Sequence, residues 1–147
     1  FTNPYQAAPN DLFHEGFFID REQLIEGLED ELSDDPSFLQ HVTGVYYEKQ
    51  GISNRLVSWS LFERISIEEW LKAIPVQVLR NVSSFLIRNL SDFKSGIPDL
   101  FVCYGDQEFE LVEIKGPTDR LQPQQQAWFD VLPELGIPAR VLKFQYE

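Results

Sequence analysis

The stretch GIPDLFVCYGDQEFELVEIKGPTDRLQPQQQAWFDVL, residues 96–132, decides the predicted fold. Two apolar runs flank a Gly-Asp pair, a pattern typical of a β-hairpin. If the hairpin is centred on Asp106, Tyr104 faces Glu108 on the opposite strand. The pairing of every residue further out along the two strands follows from that centre.

Counting outward along this hairpin brings two carboxylates together. Asp99 lies directly across from Glu113, with Cβ atoms about 4.5–5.5 Å apart. Lys115 follows Glu113 by two residues, so both side chains point to one face, while Val112 and Ile114 point into the opposite layer. Like charges directly opposite destabilise a strand pair unless a cation lies between them. The sequence therefore predicts a metal site.

The predicted site suits phosphodiester chemistry. Carboxylate oxygens, a backbone carbonyl and waters are ligands that suit Mg²⁺ or Mn²⁺, and the carbonyl of Ile114 is a further candidate ligand. The ion would polarise a phosphate and lower the pKa of a bound water, and Lys115 would orient that nucleophile or stabilise the developing charge. The alternative is a surface strand on which Glu113 and Lys115 form an exposed ion pair, worth about 0–1 kcal/mol, while Asp99 caps a turn after Pro98.

The composition predicts one soluble globular domain without a membrane segment. The chain has 147 residues, 43% of them hydrophobic, and no apolar run near the roughly 18 residues of a membrane span. Cys103 is the only cysteine, which excludes disulfides within the chain and is compatible with a reducing, intracellular location. The start FTNPYQAAPNDLF is not typical of a signal peptide, and we expect it to be the start of a fragment.

The net charge of −12 argues against binding to a polyanion. Residues 1–40 hold ten acidic residues and one Arg, whereas residues 41–147 hold fourteen acidic and eleven basic residues. Most of the excess therefore lies in the first quarter of the chain, which could face away from DNA. A divalent ion, or a partner domain, could supply positive charge at the phosphate.

The first half of the chain is predicted to be helical. Residues 1–16 lack periodicity and are interpreted as a lead-in loop. An apolar set at helical spacing follows Arg21, with acidic residues on its other side. Asp35-Pro36 predicts the start of a second helix, with Asp35 as N-cap and Pro36 at the first helical position. His14 and His41 lie in these segments without a nearby nucleophile.

The middle of the chain alternates short segments with helices. LVSWSLF, residues 56–62, has β-branched and aromatic residues and predicts a short strand or extended segment. The sequence from Ser66 to Glu69 is a capping box that starts a short helix. A further helix is predicted from Pro75 to about Leu90, and its Arg80 and Arg88 could contact phosphate or be ordinary surface charges.

Four segments resemble the VRR-NUC branch of the PD-(D/E)XK nuclease superfamily, and most closely its Fanconi-associated nucleases. They are GIPDLFV, LVEIKGPTDRL, Gln125 with Trp128 three residues on, and LVSWSLF upstream. The resemblance covers about residues 17–145. It implies an α/β fold of the restriction-endonuclease-like type, a mixed sheet flanked by helices with a helical N-terminal half. It also implies a lead-in segment at 1–16 and a nuclease domain at 17–147.

By that resemblance Asp99 and Glu113 are metal ligands, Ile114 contributes its carbonyl, Lys115 is the catalytic lysine, and Gln125 supports the site from the following helix. The local pattern agrees with a helix there, because Pro123 and Gly136 delimit it. Its residues Leu121, Gln125, Trp128 and Leu132 share a face turned toward the sheet. The segment ARVLKF, residues 139–144, predicts a further strand reached by a helical crossover.

The chain departs from the family pattern in one respect. Similar nucleases use another glutamate on an upstream helix, together with separate DNA-binding domains, and no residue here matches that glutamate. Glu26 lies on a helix, but its spacing and context do not resemble the motif. The departure agrees with a fragment whose remaining polypeptide lies upstream.

The resemblance implies a structure-selective, Mg²⁺- or Mn²⁺-dependent DNA nuclease. Its expected activities are 5′-flap endonuclease and 5′-to-3′ exonuclease on branched or flapped DNA, in interstrand crosslink repair. One alternative is a Holliday-junction resolvase or phage-type nuclease with the same motifs. Another, of a different class, is a non-catalytic scaffold that binds protein partners. Its expected location is intracellular, in the bacterial cytoplasm or nucleoid or in a eukaryotic nucleus.

Overall fold

The computed structural model describes residues 6–144, and the chain divides into two compact units between Lys72 and Ala73. The first five residues of the expected lead-in loop lie outside the described part, and residues 10–18 form a series of turns. No helix of the described chain is long and apolar enough to cross a membrane. The helices and strands are α1 Glu22–Glu31, α2 Asp35–Lys49, α3 Ile67–Ala73, α4 Val76–Asn89, β1 Leu100–Gly105, β2 Glu108–Lys115, α5 Pro123–Val131 and β3 Ala139–Lys143.

The first unit begins with the two predicted helices. The cap of α2 differs from the prediction by one residue: Asp34, not Asp35, has an extended backbone, and its Oδ1 accepts a hydrogen bond from the Ser37 N–H at 3.0 Å. Either aspartate could cap, but only Asp34 lies three residues before a free helical amide that its side chain reaches. Pro36 therefore occupies the second helical position, where its missing N–H also costs nothing.

The prediction of a strand at LVSWSLF is wrong. Residues Trp59–Phe62 form a short 3-10 helix instead. The rings of Trp59 and Phe62, three residues apart, lie 5.8 and 5.1 Å from the ring of Tyr46 on α2. A 3-10 helix has three residues per turn, so it places both rings on one side for this contact, and tertiary packing outweighs β-propensity.

The two helices that follow are confirmed. In the capping box, the Ser66 hydroxyl oxygen accepts the Glu69 N–H and the Glu69 carboxylate accepts the Ser66 N–H, at 3.2 and 2.9 Å. Helix α4 occupies nearly the predicted range, with Pro75 as its N-cap residue rather than its first helical residue. These local signals need no tertiary information.

The second unit contains a three-stranded mixed sheet in the order β1-β2-β3, antiparallel between β1 and β2 and parallel between β2 and β3. The predicted register is confirmed from Leu100↔Val112 to Cys103↔Phe109. At the turn it is wrong, because Gly105 rather than Tyr104 pairs with Glu108.

The turn differs because the loop between the paired residues Gly105 and Glu108 has two residues rather than three. Asp106 and Gln107 form that loop, with Gln107 in the left-handed region at φ 61°. The ladder takes up the remaining residue as an irregularity between Cys103 and Gly105.

Helix α5 connects β2 to the parallel strand β3. Pro123 is its first residue, as predicted, but the helix ends at Val131 and not near Gly136. Pro133 causes the earlier end, because proline has no N–H to donate to the carbonyl one turn earlier in the helix. Side chains from α4, α5 and one face of β2 form the core of this unit, together with residues of the following turn. Its buried members are Val78, Phe109, Leu111, Trp128, Leu132, Leu135 and Ile137.

Candidate metal centre

Alternation along β2 places two charged side chains on the core side of the sheet. Phe109 and Leu111 belong to the core, and Glu113 and Lys115 continue the same face toward the end of the strand. Glu113 is 1% exposed and Lys115 is 9% exposed. The alternative of an exposed surface ion pair is therefore wrong. Charged side chains are almost never buried to this extent unless they are paired.

A glutamine in the first turn of α5 joins the two charges. Gln125 Oε1 accepts a hydrogen bond from Lys115 Nζ at 2.8 Å, and Gln125 Nε2 donates to Glu113 Oε1. Lys115 Nζ also lies 2.8 Å from Glu113 Oε1. The backbone N–H of Gln122 donates to Gln125 Oε1 at 2.9 Å, which closes a capping box. Because Oε1 takes two donors, the amide nitrogen is left to face the carboxylate.

Glu113 keeps one oxygen without a hydrogen-bond partner. Its Oε2 is buried and accepts no hydrogen bond, whereas Oε1 takes both Lys115 and Gln125. A buried acceptor without a partner costs about 1–3 kcal/mol, and more when it is charged. An oxygen left in this state is available to a cation.

Asp99 directly precedes β1, the strand that pairs with β2 in the hairpin. Its Oδ2 accepts the backbone N–H of Ile114 at 2.9 Å, the residue between Glu113 and Lys115. The ladder begins at Leu100, and continuing its register by one residue places Asp99 opposite Glu113, as predicted. The carboxyl therefore bonds across the hairpin and does not merely cap a turn after Pro98.

The same end of the hairpin leaves the carbonyl of Ile114 without a strand partner. Ile114 N–H points toward β1, and the carbonyl of a strand residue points the same way as its own N–H. The continued register places Pro98 opposite Ile114, and proline has no N–H to donate. Pro98 therefore cannot extend the ladder to the Ile114 carbonyl, which belongs to the same residue as the N–H that Asp99 accepts.

These donors fit a hard divalent cation. The orphaned Glu113 Oε2, the Asp99 carboxylate and the Ile114 carbonyl are all oxygen ligands, which such ions prefer. Within residues 6–144 no group of three or more His, Cys, Asp or Glu side chains could hold an ion. The centre therefore supplies few protein ligands and leaves positions for water and phosphate.

Two contacts around the centre were not predicted from the sequence. Trp128 Nε1 donates to the carbonyl of Ser95 at 3.0 Å, which ties α5 to the segment before β1. Asp119 Oδ2 accepts the Gly116 N–H at 3.0 Å and folds back the loop after Lys115. The Gly-Pro-Thr-Asp composition of that loop was a usable signal, because aspartate commonly bonds backbone amides in turns.

The two arginines of α4 are partly explained. Arg88 Nη1 donates to the Ser84 carbonyl and to its hydroxyl oxygen at 3.2 and 2.7 Å, one turn earlier in the helix. This guanidinium therefore has a local role, and Arg80 also takes part in an interaction of its own.

The chain belongs to the VRR-NUC domain family, which matches residues 36–145. The mixed α/β fold, with its buried Glu-x-Lys strand, is that of PD-(D/E)XK-like nuclease domains, which generally use divalent metals. The predicted fold class is confirmed.

Within this family the chain is similar to Fanconi-associated nuclease 1. It is 32% identical to the Homo sapiens protein over 145 residues, covering 96% of this chain and 14% of that protein. It is 31% identical to the Pseudomonas aeruginosa homologue over 142 residues, covering 96% of this chain and 25% of that protein. The chain thus spans about a seventh to a quarter of these curated relatives.

Two solved structures have the same fold over the whole chain. One is a crystal structure of paFAN1 bound to 1nt 5′-flap DNA with a gap, with a TM-score of 0.85 and 30% identity. The other is paFAN1 bound to 2nt 5′-flap DNA with a gap, with a TM-score of 0.83 and 29% identity. Each match covers 100% of this chain and 27% of the paFAN1 chain.

Proposed function

We propose that this chain is the catalytic core of a Mg²⁺- or Mn²⁺-dependent, structure-selective DNA nuclease. The single observation that carries the proposal is the buried Glu113, which is held by Lys115 and Gln125 through one oxygen while the other has no partner. A buried carboxylate oxygen without a partner lowers the stability of the fold, and an apolar residue at this position would avoid that cost. Its presence therefore points to a function.

Each residue has one task in this proposal. Asp99, Glu113 and the Ile114 carbonyl hold the ion, which when bound polarises the phosphate and acidifies a coordinated water. Lys115 lies beside the carboxylate with its ammonium fixed, where it orients the attacking water or stabilises the charge that develops on the phosphate. Gln125 holds the ammonium group of Lys115 and the carboxylate of Glu113 in fixed positions. Their geometry therefore does not have to be organised when the substrate binds.

The charge distribution supports DNA as the substrate despite the net charge of −12. Residues 1–72 hold fourteen acidic and five basic residues, a net charge of −9. Residues 73–147, which contain the centre, hold ten acidic and seven basic residues, a net charge of −3. Bound divalent cations would make the second unit close to neutral at the site where the phosphate binds.

The substrate is proposed to be branched or 5′-flap DNA, cut by 5′-flap endonuclease and 5′-to-3′ exonuclease activity in interstrand crosslink repair. Support comes from relatives named Fanconi-associated nuclease 1 and from paFAN1 structures bound to 5′-flap DNA. In this proposal residues 1–16 lead into a nuclease domain at 17–147. Further parts of the same polypeptide supply DNA binding, and the protein acts inside the cell.

The test is cleavage of a labelled 5′ flap and of a four-way junction by the full-length protein in Mg²⁺ or Mn²⁺. Asp99→Ala and Lys115→Ala should each reduce the rate by at least about 10³-fold, because each removes a group that acts on the reacting phosphate. At the assay temperature both variants should keep the far-UV circular dichroism of the wild type. Lys115→Ala should nevertheless be less stable than the wild type, because it leaves a buried carboxylate without its charge partner.

Asp106→Ala is the matched control, because this aspartate lies in the hairpin turn at the other end of the same strands. It should leave the cleavage rate unchanged. Wild-type activity in Asp99→Ala or Lys115→Ala would refute the proposed centre, and preference for the four-way junction over the flap would favour the resolvase alternative.

A further inference from the structure

The segment before β1 touches the start of α5 through a glycine. Gly96 has φ +91°, and a Cβ added to it would lie 2.8 Å from both the backbone carbon and the Cβ of Gln124 and 2.9 Å from its carbonyl oxygen. Real Cβ atoms essentially never approach this closely. The obstacle is mostly the backbone of a helix, which cannot rotate away as a flexible side chain can.

Two contacts with Trp128 fix the residues just before Gly96. One residue earlier, the Ser95 carbonyl accepts the Trp128 Nε1–H at 3.0 Å. The ring of Phe93 meets the Trp128 ring edge-on at 5.1 Å between centroids. Trp128 is 2% exposed, so the tryptophan that anchors this segment is itself fixed in the core.

This contact lies between the two halves of the metal centre. Asp99 follows Gly96 by three residues, and Gln125 follows the touched residue Gln124 by one. Relief of the clash to an ordinary contact of 3.4 Å requires a movement of about 0.6 Å, the difference from 2.8 Å. A movement of this size would weaken the 2.8 Å hydrogen bond from Lys115 Nζ to Gln125 Oε1, because hydrogen bonds weaken when their length increases by a few tenths of an ångström.

We infer that Gly96 is a positioning residue, whose missing side chain sets the first turn of α5 at the distance that lets Gln125 bridge Glu113 and Lys115. The inference rests on the proposed function for its effect on cleavage, and on the contact geometry alone for its effect on Gln125. Gly96 itself touches neither the substrate nor the ion. It acts through Gln125, and a methyl group at position 96 displaces that side chain.

The experiment compares Ala substitutions at the three glycines of positive φ. Gly96→Ala should lower kcat at least about tenfold, since misplacement of a catalytic array by up to 1 Å costs up to about 10²-fold. The controls are Gly51→Ala, where a Cβ meets nothing within 4 Å, and Gly136→Ala, where it meets only the Val78 side chain at 3.4 Å. Both controls carry the same backbone strain and should change kcat less than twofold at a temperature where all variants are folded.

A double-mutant cycle with Gln125→Ala separates positioning from a general structural effect. If Gly96 acts through Gln125, the Ala substitution at 96 should lower kcat by less than twofold in the Gln125→Ala background. An equal loss in both backgrounds would overturn the inference. So would an equal loss in all three glycine variants.

A second measurement does not depend on cleavage. The side-chain amide protons of Gln125, observed by NMR in selectively ¹⁵N-labelled protein, should shift and exchange faster with solvent in Gly96→Ala but not in the two controls. Unchanged signals would overturn the inference. If Asp99→Ala retains activity, the proposed function fails, and these amide signals still decide the role of Gly96. Should Gly96→Ala not fold, Gly96→Asn repeats the test, because asparagine tolerates positive φ while placing the same Cβ.

Discussion

Strand β2 has, on each of its two faces, one carboxylate that is paired with a cation. On the core face, Glu113 lies 2.8 Å from Lys115, with side chains 1% and 10% exposed. On the outer face, Glu110 binds Arg140, whose Nε lies 3.0 Å from both carboxylate oxygens, with side chains 16% and 50% exposed. The two pairs have similar distances, and their carboxylates are only three residues apart on the strand.

The two carboxylates differ in how many of their oxygens accept hydrogen bonds. Both oxygens of Glu110 accept hydrogen bonds, one of them also from the Tyr104 hydroxyl, so the outer pair is complete. Glu113 is almost fully buried and still has a free oxygen. A completed, partly exposed pair contributes little to stability, whereas an incomplete buried pair is typical of functional sites.

The largest expected effect comes from breaking each pair from its cationic side. Lys115→Met should destabilise the protein by roughly 3–5 kcal/mol, because it leaves a buried carboxylate without its charge partner. Arg140→Met should have a much smaller effect, since the outer pair is partly exposed. Urea unfolding monitored by tryptophan fluorescence measures both values. Equal losses in the two variants would contradict the distinction between the pairs.

A double variant sharpens this result. Glu113→Leu combined with Lys115→Met removes both buried charges and should regain much of the stability that Lys115→Met alone loses. The same double variant should have no measurable cleavage activity. Recovery of stability without activity would indicate that the buried pair is kept for its chemistry rather than for the fold.

An intermediate effect is expected from the ligand itself. Mn²⁺ at about 100 times its Kd should stabilise the folded wild type by about 2.7 kcal/mol, because the ion binds the folded state only. The stabilisation should disappear in Glu113→Gln and persist in Glu110→Gln, an identical substitution on the other face of the strand. Differential scanning calorimetry with and without Mn²⁺ gives the measurement. Equal stabilisation of both variants would place the ion elsewhere.

Most of the site followed from local rules, because the period of a strand and the register of a hairpin are short-range properties. Glu113 and Lys115 share a face as predicted, and Asp99 reaches the amide beside them. The register survived the wrong pairing at Tyr104, since the irregularity lies at the turn and leaves the outer pairs in place. The family resemblance implied that Gln125 supports the site, but its bridge between Glu113 and Lys115 was not predicted.

What the sequence did not predict depends on contacts between distant segments. The aromatic rings of Trp59 and Phe62 pack on α2, and that packing replaces the predicted strand with a 3-10 helix. The approach of Gly96 to Gln124 joins residues 28 positions apart, and no local pattern reports it. The burial of Glu113 is also tertiary, because an alternating strand looks the same whether its polar face meets solvent or a helix.

The smallest expected effect is the pH response of the outer pair. The Tyr104 hydroxyl hydrogen bond, with help from Arg140, lowers the pKa of Glu110 below its ordinary value of 4.5. A carboxyl with a lowered pKa contributes stability above its ordinary pKa and loses that contribution as the pH falls through its value in the folded protein. The stability advantage of the wild type over Glu110→Gln should therefore be constant at neutral pH and shrink below pH 4.5.

Urea unfolding across this pH range measures the stability advantage. Tyr104→Phe should reduce its change with pH, because this substitution removes the main cause of the lowered pKa. Because the pair is partly exposed, about 1 M salt should weaken the difference. Parallel acid limbs for the wild type and Glu110→Gln would show that the outer pair contributes nothing.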